Sequence, residues 1–214
     1  MRKTKHLIAI TGICASALLA ASWATAEDKP MAASPPATQP DPMAEMGAKM
    51  AEWATLNQPG PQHAELKKSV GKWTAEAKMR PMPDVPDMVS KGVEVREMVL
   101  GDRFVQSTYT GDMGGQTFKG MGLQGYDTVQ KKYVSLWLDD MSTGVALFEG
   151  KADASGKVVT YTGRVPCPMK NMEMVDARQV VTVIDDDHAK FEMFMPGPDG
   201  KEFRNMEILY TRVK

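Results

Sequence analysis

From about residue 72 to the end of the chain, apolar and polar positions alternate with a period of two. That is the mark of strands with two unlike faces. Ten runs carry the alternation, near residues 72–80, 92–100, 102–111, 116–125, 131–139, 143–151, 157–165, 172–185, 188–195 and 202–213. Turn chemistry separates them, most plainly at Gly111 to Gly115, Asp153 to Gly156 and Pro196 to Gly200. Short strands at regular spacing, joined by Asp-Gly-type turns, predict an antiparallel barrel or sandwich and argue against a parallel sheet. In the run 131–139 both faces are apolar. Tyr133 and Trp137 share one side with Asp139, and Val134, Leu136 and Leu138 share the other. Such a strand needs cover on both sides, from a helix outside or a cavity within. Gly120, Gly122 and Gly125 inside one run predict close approach or sharp coiling.

Ahead of the strands the period changes. Met43, Met46, Met50 and Trp53 recur at helical spacing behind Pro42, a residue welcome in a first helical turn. This predicts an amphipathic helix over 42–58 that packs its stripe on the barrel. Pro59-Gly60-Pro61 ends it, and a second short helix, Gln62 to Val70, runs into Gly71. Residues 59–214 then form the barrel domain. The stretch 27–41, rich in Pro, Ala, Ser, Thr and Gln, reads as a flexible tether.

The first 26 residues read as an address. Arg2, Lys3 and Lys5 precede an apolar run from Leu7 to Ala21, and Ala24-Thr25-Ala26 offers a small-x-small cleavage site. Export to the periplasm or medium is the expectation, with no membrane-spanning segment left after cleavage. Losing this segment removes three of the 26 basic residues and none of the 27 acidic ones. The remaining chain is mildly acidic, which disfavours nucleic acid as a partner. Cys167 becomes the only cysteine, so no internal disulfide forms, and only His63 and His188 remain of three histidines. A three-histidine zinc site is excluded, and no cofactor is implied.

Several motifs follow one another in order: Pro59-Gly60-x-x-His63, Gly71-x-Trp73, Leu100-Gly101-Asp102-Arg103-Phe104 and Phe118-x-Gly120. Then come Gly125-Tyr126-Asp127, Trp137-x-Asp139, Asp199-Gly200 and Tyr210-Thr211-Arg212. Together they resemble the bacterial family known as domain of unknown function 1579, over about residues 43–214. Asp102 stands where that family often has a second glycine. The resemblance implies an all-β, up-and-down antiparallel barrel of about ten strands, lipocalin-like or fatty-acid-binding-like, preceded by one or two short helices. It carries no catalytic residues. By analogy with calycin-type barrels, Trp73 is expected to close one end of the barrel beneath Arg212, a cation–π contact. His63 belongs to the same end and is expected to bond a backbone carbonyl or a carboxylate; a metal or haem ligand is the alternative.

Arg96, Arg103 and Arg178 lie in strand-like runs among apolar neighbours, and a buried arginine requires an anionic partner. Glu94, Glu192 and Glu207 could supply it, or the carboxylate of a ligand could. With Tyr133, Trp137, Met82 and Met88 these arginines make up the candidate ligand residues, the rim lying near 80–91. Methionine is abundant, at 18 residues. It serves as an adaptable core filler, but Cys167, Met169, Met172 and Met174 could also hold a soft metal such as copper. Asp127, Asp139 and Asp140 sit at strand ends, where aspartate favours turns. They are the carboxylates that a hydrolase or isomerase reading would use. The function expected is non-enzymatic binding of a small apolar or amphipathic molecule, lipid-like in character.

Overall fold

Residues that accept left-handed backbone set the turns, and alternating residues between them set the strands. The computed structural model describes residues 41–214. The expected signal peptide and all of the tether but its last residue lie outside the described residues. Two helices come first, α1 (Pro42–Leu56) and α2 (Pro61–Lys67). Ten strands follow: β1 (Gly71–Met79), β2 (Met88–Val99), β3 (Phe104–Met113), β4 (Gln116–Asp127) and β5 (Lys132–Asp139). The chain continues through β6 (Ala146–Ala152), β7 (Val158–Cys167), β8 (Glu173–Val183), β9 (His188–Pro196) and β10 (Glu202–Arg212). Each strand pairs antiparallel with its chain neighbours, and β1 closes the barrel against β10. The ten expected strands are present; β2 begins four residues early because Met88 already pairs with Met79. No helix among the described residues is long and apolar enough to cross a membrane.

The turns explain their sequences. Gly114 and Gly115, at φ of 63° and 85°, make the two-residue link between β3 and β4. The β2–β3 turn takes Leu100, Gly101 and Asp102 through positive φ in succession. The position where the family favours glycine is therefore one where glycine costs least.

Inside the barrel, aromatic rings lie on glycine. A side chain at Gly92 or Gly111 would collide with the Tyr109 ring, and one at Gly120 with Trp137. In the β6–β7 hairpin the exchange is reciprocal: Phe148 faces Gly163 and Tyr161 faces Gly150. Rings flat against the wall fill two inner clusters. One gathers Trp73, Ala75, Tyr109, Ala189 and Tyr210; the other gathers Tyr133, Phe148, Tyr161, Val165, Cys167, Val175 and Ala177. The apolar outer face of β5 is met laterally, Leu136 pairing with Leu123 and Leu147.

The first helix departs from expectation. Asp41, the last residue assigned to the tether, is its N-cap, accepting the Met43 N–H at 3.0 Å. Yet α1 buries no residue, and Met46, Met50 and Trp53 are 52, 58 and 60% exposed. The stripe therefore does not pack on the barrel. The Pro59-Gly60-Pro61 break lies between α1 and the domain. The side-chain hydrogen bond joining α1 to the barrel sits at its last residue, from Thr128 Oγ1 to the Leu56 carbonyl at 2.6 Å.

Candidate functional site

The barrel has two unlike ends. At one, α2 lies beside the turns 100–103 and 128–131; at the other are the loops 80–87, 140–145 and 168–172.

The α2 end is closed by backbone bonds. Gly60 is the N-cap of α2 and Pro61 its first residue, and His63 Nδ1 accepts the Gly60 N–H at 3.0 Å. The imidazole also hydrogen-bonds the Tyr126 backbone. Burial, the largest influence, holds the imidazole below its ordinary pKa, the Tyr126 bond opposes this, and Arg103 lowers it further. With Nδ1 capping α2 and the ring buried, His63 serves as a structural residue. Trp73, almost fully buried, donates Nε1–H to the Ser69 carbonyl at 2.8 Å. The Arg212 guanidinium stacks on its ring at 4.2 Å and donates to the carbonyls of Val70, Lys68 and Asp186 at 2.6, 2.7 and 2.8 Å. A side chain at Gly71 would run into Arg212, which accounts for the glycine of Gly71-x-Trp73.

Just inside this end lies a charged group. Arg96 Nε donates to Glu94 Oε1 at 2.6 Å, and Tyr210 O–H donates to Glu94 Oε2 at 3.0 Å. The guanidinium stacks at 5.1 Å from Trp73 and 4.5 Å from Tyr210. Desolvation is the largest influence on Arg96 and works against its charge, but Glu94 and Tyr210 outweigh it and the pKa is raised. Glu94 is thus the anionic partner of Arg96.

The other two arginines lie elsewhere. Arg103 is a turn residue, not a strand residue; it donates to the Leu100 and Gly101 carbonyls at 3.4 and 3.2 Å and has no carboxylate partner among the described residues. Arg178 points out of the barrel, since the inward side of β8 carries Val175, Ala177 and Gln179. It pairs with Glu202 at 2.5 Å and lies over Phe194 at 4.0 Å. Neither can meet a ligand in the interior.

The remaining candidates divide between the ends. Tyr133 is buried beneath α2, edge-on to Tyr126 at 5.0 Å, and Leu66 packs on the same cluster. Trp137 lies deeper on the wall, its Nε1–H donated to Asp139 Oδ2 at 3.0 Å. Asp139 is occupied with this bond and with the Met141 N–H; Asp127 caps a turn through Val129 and Gln130, and Asp140 accepts from Lys119. None of these carboxylates stands free beside another. Cys167 is buried facing inward, whereas Met169, Met172 and Met174 are exposed, so the four do not converge on a metal.

The end away from α2 shows what alternation alone did not. Met88 pairs with Met79, Met79 with Met206, and Met206 with Met193. These four inward-facing methionines form a lateral row over β2, β1, β10 and β9. Met195 lies beside Phe203 on the next row towards the mouth. On the outer side of the wall near this rim lies a cleft of about 260 Å³, lined by Lys78, Arg80, Asp87, Arg204 and Glu207, with Phe203 and Met206 at its apolar side. Met82 is half-buried in the loop beside it. Met206 shares the inner face with Ile208 and Tyr210 by simple alternation, and a bulge at Asn205 brings Phe203 to that face as well. No spacing rule in the sequence announces that bulge.

A sequence model of a protein family described as "Protein of unknown function (DUF1579)" matches residues 58–212. The chain belongs to that family. Of the motifs that mark this DUF1579 chain, the glycine-histidine and glycine-tryptophan pairs build the closed end, and the inward Phe118, Gly120 and Trp137 build the wall. No curated protein matches it in sequence. Among solved structures it is similar to the Rv2717c protein of M. tuberculosis, at 12% identity and a TM-score of 0.53. That match spans 73% of this chain and 100% of the other. A redesigned β-barrel matches at 12% identity and a TM-score of 0.37, over 72% of this chain and 96% of its own. The first likeness shows the barrel fold and nothing more.

Proposed function

We propose that this protein is exported and binds a small apolar or amphipathic molecule in its barrel, without catalysing a reaction on it. The observation that carries the reading is the row of methionines on the inner wall at the end away from α2. Thioether side chains adapt to ligands of varied shape, and an apolar wall with few polar groups is the usual lining of a small-molecule site. Export rests on the basic, apolar and small-x-small order of residues 1–26.

Native mass spectrometry of protein purified from its own host tests the binding. A co-purified lipid-like mass, removed by delipidation and restored by adding back the extract, is the expected result. An apo mass together with no thermal shift across a panel of alkyl lipids would sink it. Cell fractionation with an N-terminal sequence starting at Glu27 is the expected outcome for export; a cytoplasmic protein retaining Met1 would refute that part.

A further inference from the structure

The outer cleft of about 260 Å³ gathers three cations from separate parts of the chain: Lys78 from β1, Arg80 from the loop after it and Arg204 from β10. Two carboxylates, Asp87 and Glu207, line it with them. The carboxylates lie deeper. The Glu207 side chain is 14% exposed and that of Asp87 29%, against 48, 41 and 42% for Lys78, Arg80 and Arg204. A molecule entering the cleft therefore meets the cations first.

The carboxylates hold these cations in place without using all their donors. Arg80 Nε donates to Asp87 Oδ1 at 2.8 Å, and its backbone N–H donates to the Asn205 carbonyl, in the β10 bulge, at 2.7 Å. Arg204 uses a single nitrogen, Nη1, for both Glu192, at 3.0 Å, and Glu207. Glu192 is itself paired with Lys190 at 2.9 Å. Both Nη atoms of Arg80, and Nε and Nη2 of Arg204, have no acceptor among the described residues. Lys78 Nζ comes no nearer to Glu207 than 3.9 Å. The three fields overlap: Arg80 holds the Asp87 carboxyl below its ordinary range, and Lys78 and Arg204 add to the effect.

Size, charge and lining restrict the occupant. The volume lies just below the roughly 300–1,000 Å³ of drug-sized pockets, so the occupant is small. Three cations against two carboxylates leave one positive charge uncompensated among the lining residues. A single negative charge neutralises it, whereas a doubly charged phosphate would leave an excess facing Asp87 and Glu207. Forked guanidinium donors suit a carboxylate. Pro83, Phe203 and Met206 give the cleft an apolar side, against which a ring or short alkyl body packs and an inorganic ion does not.

We infer that this outer cleft binds small organic monoanions, a carboxylate on an aromatic or short alkyl body, with the carboxylate received by Arg80, Arg204 and Lys78. The site is separate from the one proposed inside the barrel and independent of it.

Calorimetric titration of the intact protein at low salt with benzoate, benzyl alcohol and inorganic phosphate tests this. Benzoate is expected to bind with a Kd of about 1 mM or tighter, and the other two at least about tenfold more weakly. Absence of benzoate binding would overturn the inference. Equal affinity for benzyl alcohol would do the same by denying a role to the cations, and equal affinity for phosphate by denying one to the apolar side. Lys78→Gln removes a cation that makes no hydrogen bond among the described residues, and is expected to weaken benzoate binding by about threefold to fivefold. Lys132→Gln, on β5, should leave it unchanged. Unchanged affinity in Lys78→Gln, or equal losses in the two variants, would refute the site. In wild-type protein benzoate is expected to shift the Arg80 and Arg204 side-chain Nε–H resonances and to leave that of Arg164 in place. Unmoved Arg80 and Arg204 resonances with benzoate bound would put it elsewhere, the barrel interior included, and refute the assignment.

Discussion

His63 illustrates how a residue that reads as a possible ligand serves the backbone instead. Its Nδ1 caps Gly60 only while unprotonated. Burial holds its pKa below the ordinary value of 6.5, so the folded chain binds this proton less readily than the unfolded chain. The stability it contributes is complete above about pH 6.5 and is lost as pH falls through the lower folded value. Replacing it by Gln should cost about 1–2 kcal/mol at pH 7. The gap between wild type and His63→Gln in urea unfolding should narrow by pH 5. A gap that is constant across this range would mean the neutral cap is not what His63 supplies. Asp102 gives a second test at this scale. Its φ of 60° favours glycine, while its carboxylate pairs with Lys67 at 2.8 Å on an exposed face. Asp102→Ala, keeping the strain and losing the pair, should be about 1 kcal/mol less stable than Asp102→Gly. Equal midpoints for the two would remove the argument from backbone strain. The arginines show why such roles are only partly legible. Arg96 and Arg178 occupy similar settings in sequence, but register alone decides that one faces Glu94 inside and the other Glu202 outside.

At the scale of elements, period-two alternation located every strand because a strand's two faces meet different surroundings throughout the barrel. Helical periodicity located α1 equally well but could not say what its apolar stripe touches. A stripe of Met43, Met46, Met50 and Trp53 is the same pattern whether it lies on a barrel or in solvent, and here it is exposed. Because α1 buries nothing, deletion of residues 1–57 should change barrel stability by less than about 0.5 kcal/mol, as for ordinary surface changes. Thermal and urea midpoints of the shortened protein check this. A loss of several degrees would mean the stripe docks on the barrel in solution after all. The methionine row escaped the sequence reading for a different reason. Its members are far apart in the chain, and only the register among β2, β1, β10 and β9 sets Met88, Met79, Met206 and Met193 side by side.

Across the whole molecule, nine of the ten strand pairings join chain neighbours, and the tenth, β1 with β10, spans nearly the full domain. The hairpins can form locally, whereas the closing seam must overcome the entropy of joining the two ends of the barrel. Arg212 belongs to that seam. It ties the α2–β1 link, the β8–β9 turn and the Trp73 ring through three carbonyl bonds and one stack. Removing it in Arg212→Ala should cost about 2–4 kcal/mol, since several charge-assisted bonds are lost together. If closure follows the rate-limiting step, that loss falls on the native side of the barrier. The unfolding rate should then rise by roughly 30-fold or more while the folding rate changes by less than about threefold. Stopped-flow chevrons of wild type and Arg212→Ala separate the two arms. A folding arm that slows in proportion to the lost stability would place the seam within the nucleus, and the barrel would then form from its ends inward instead of hairpin by hairpin.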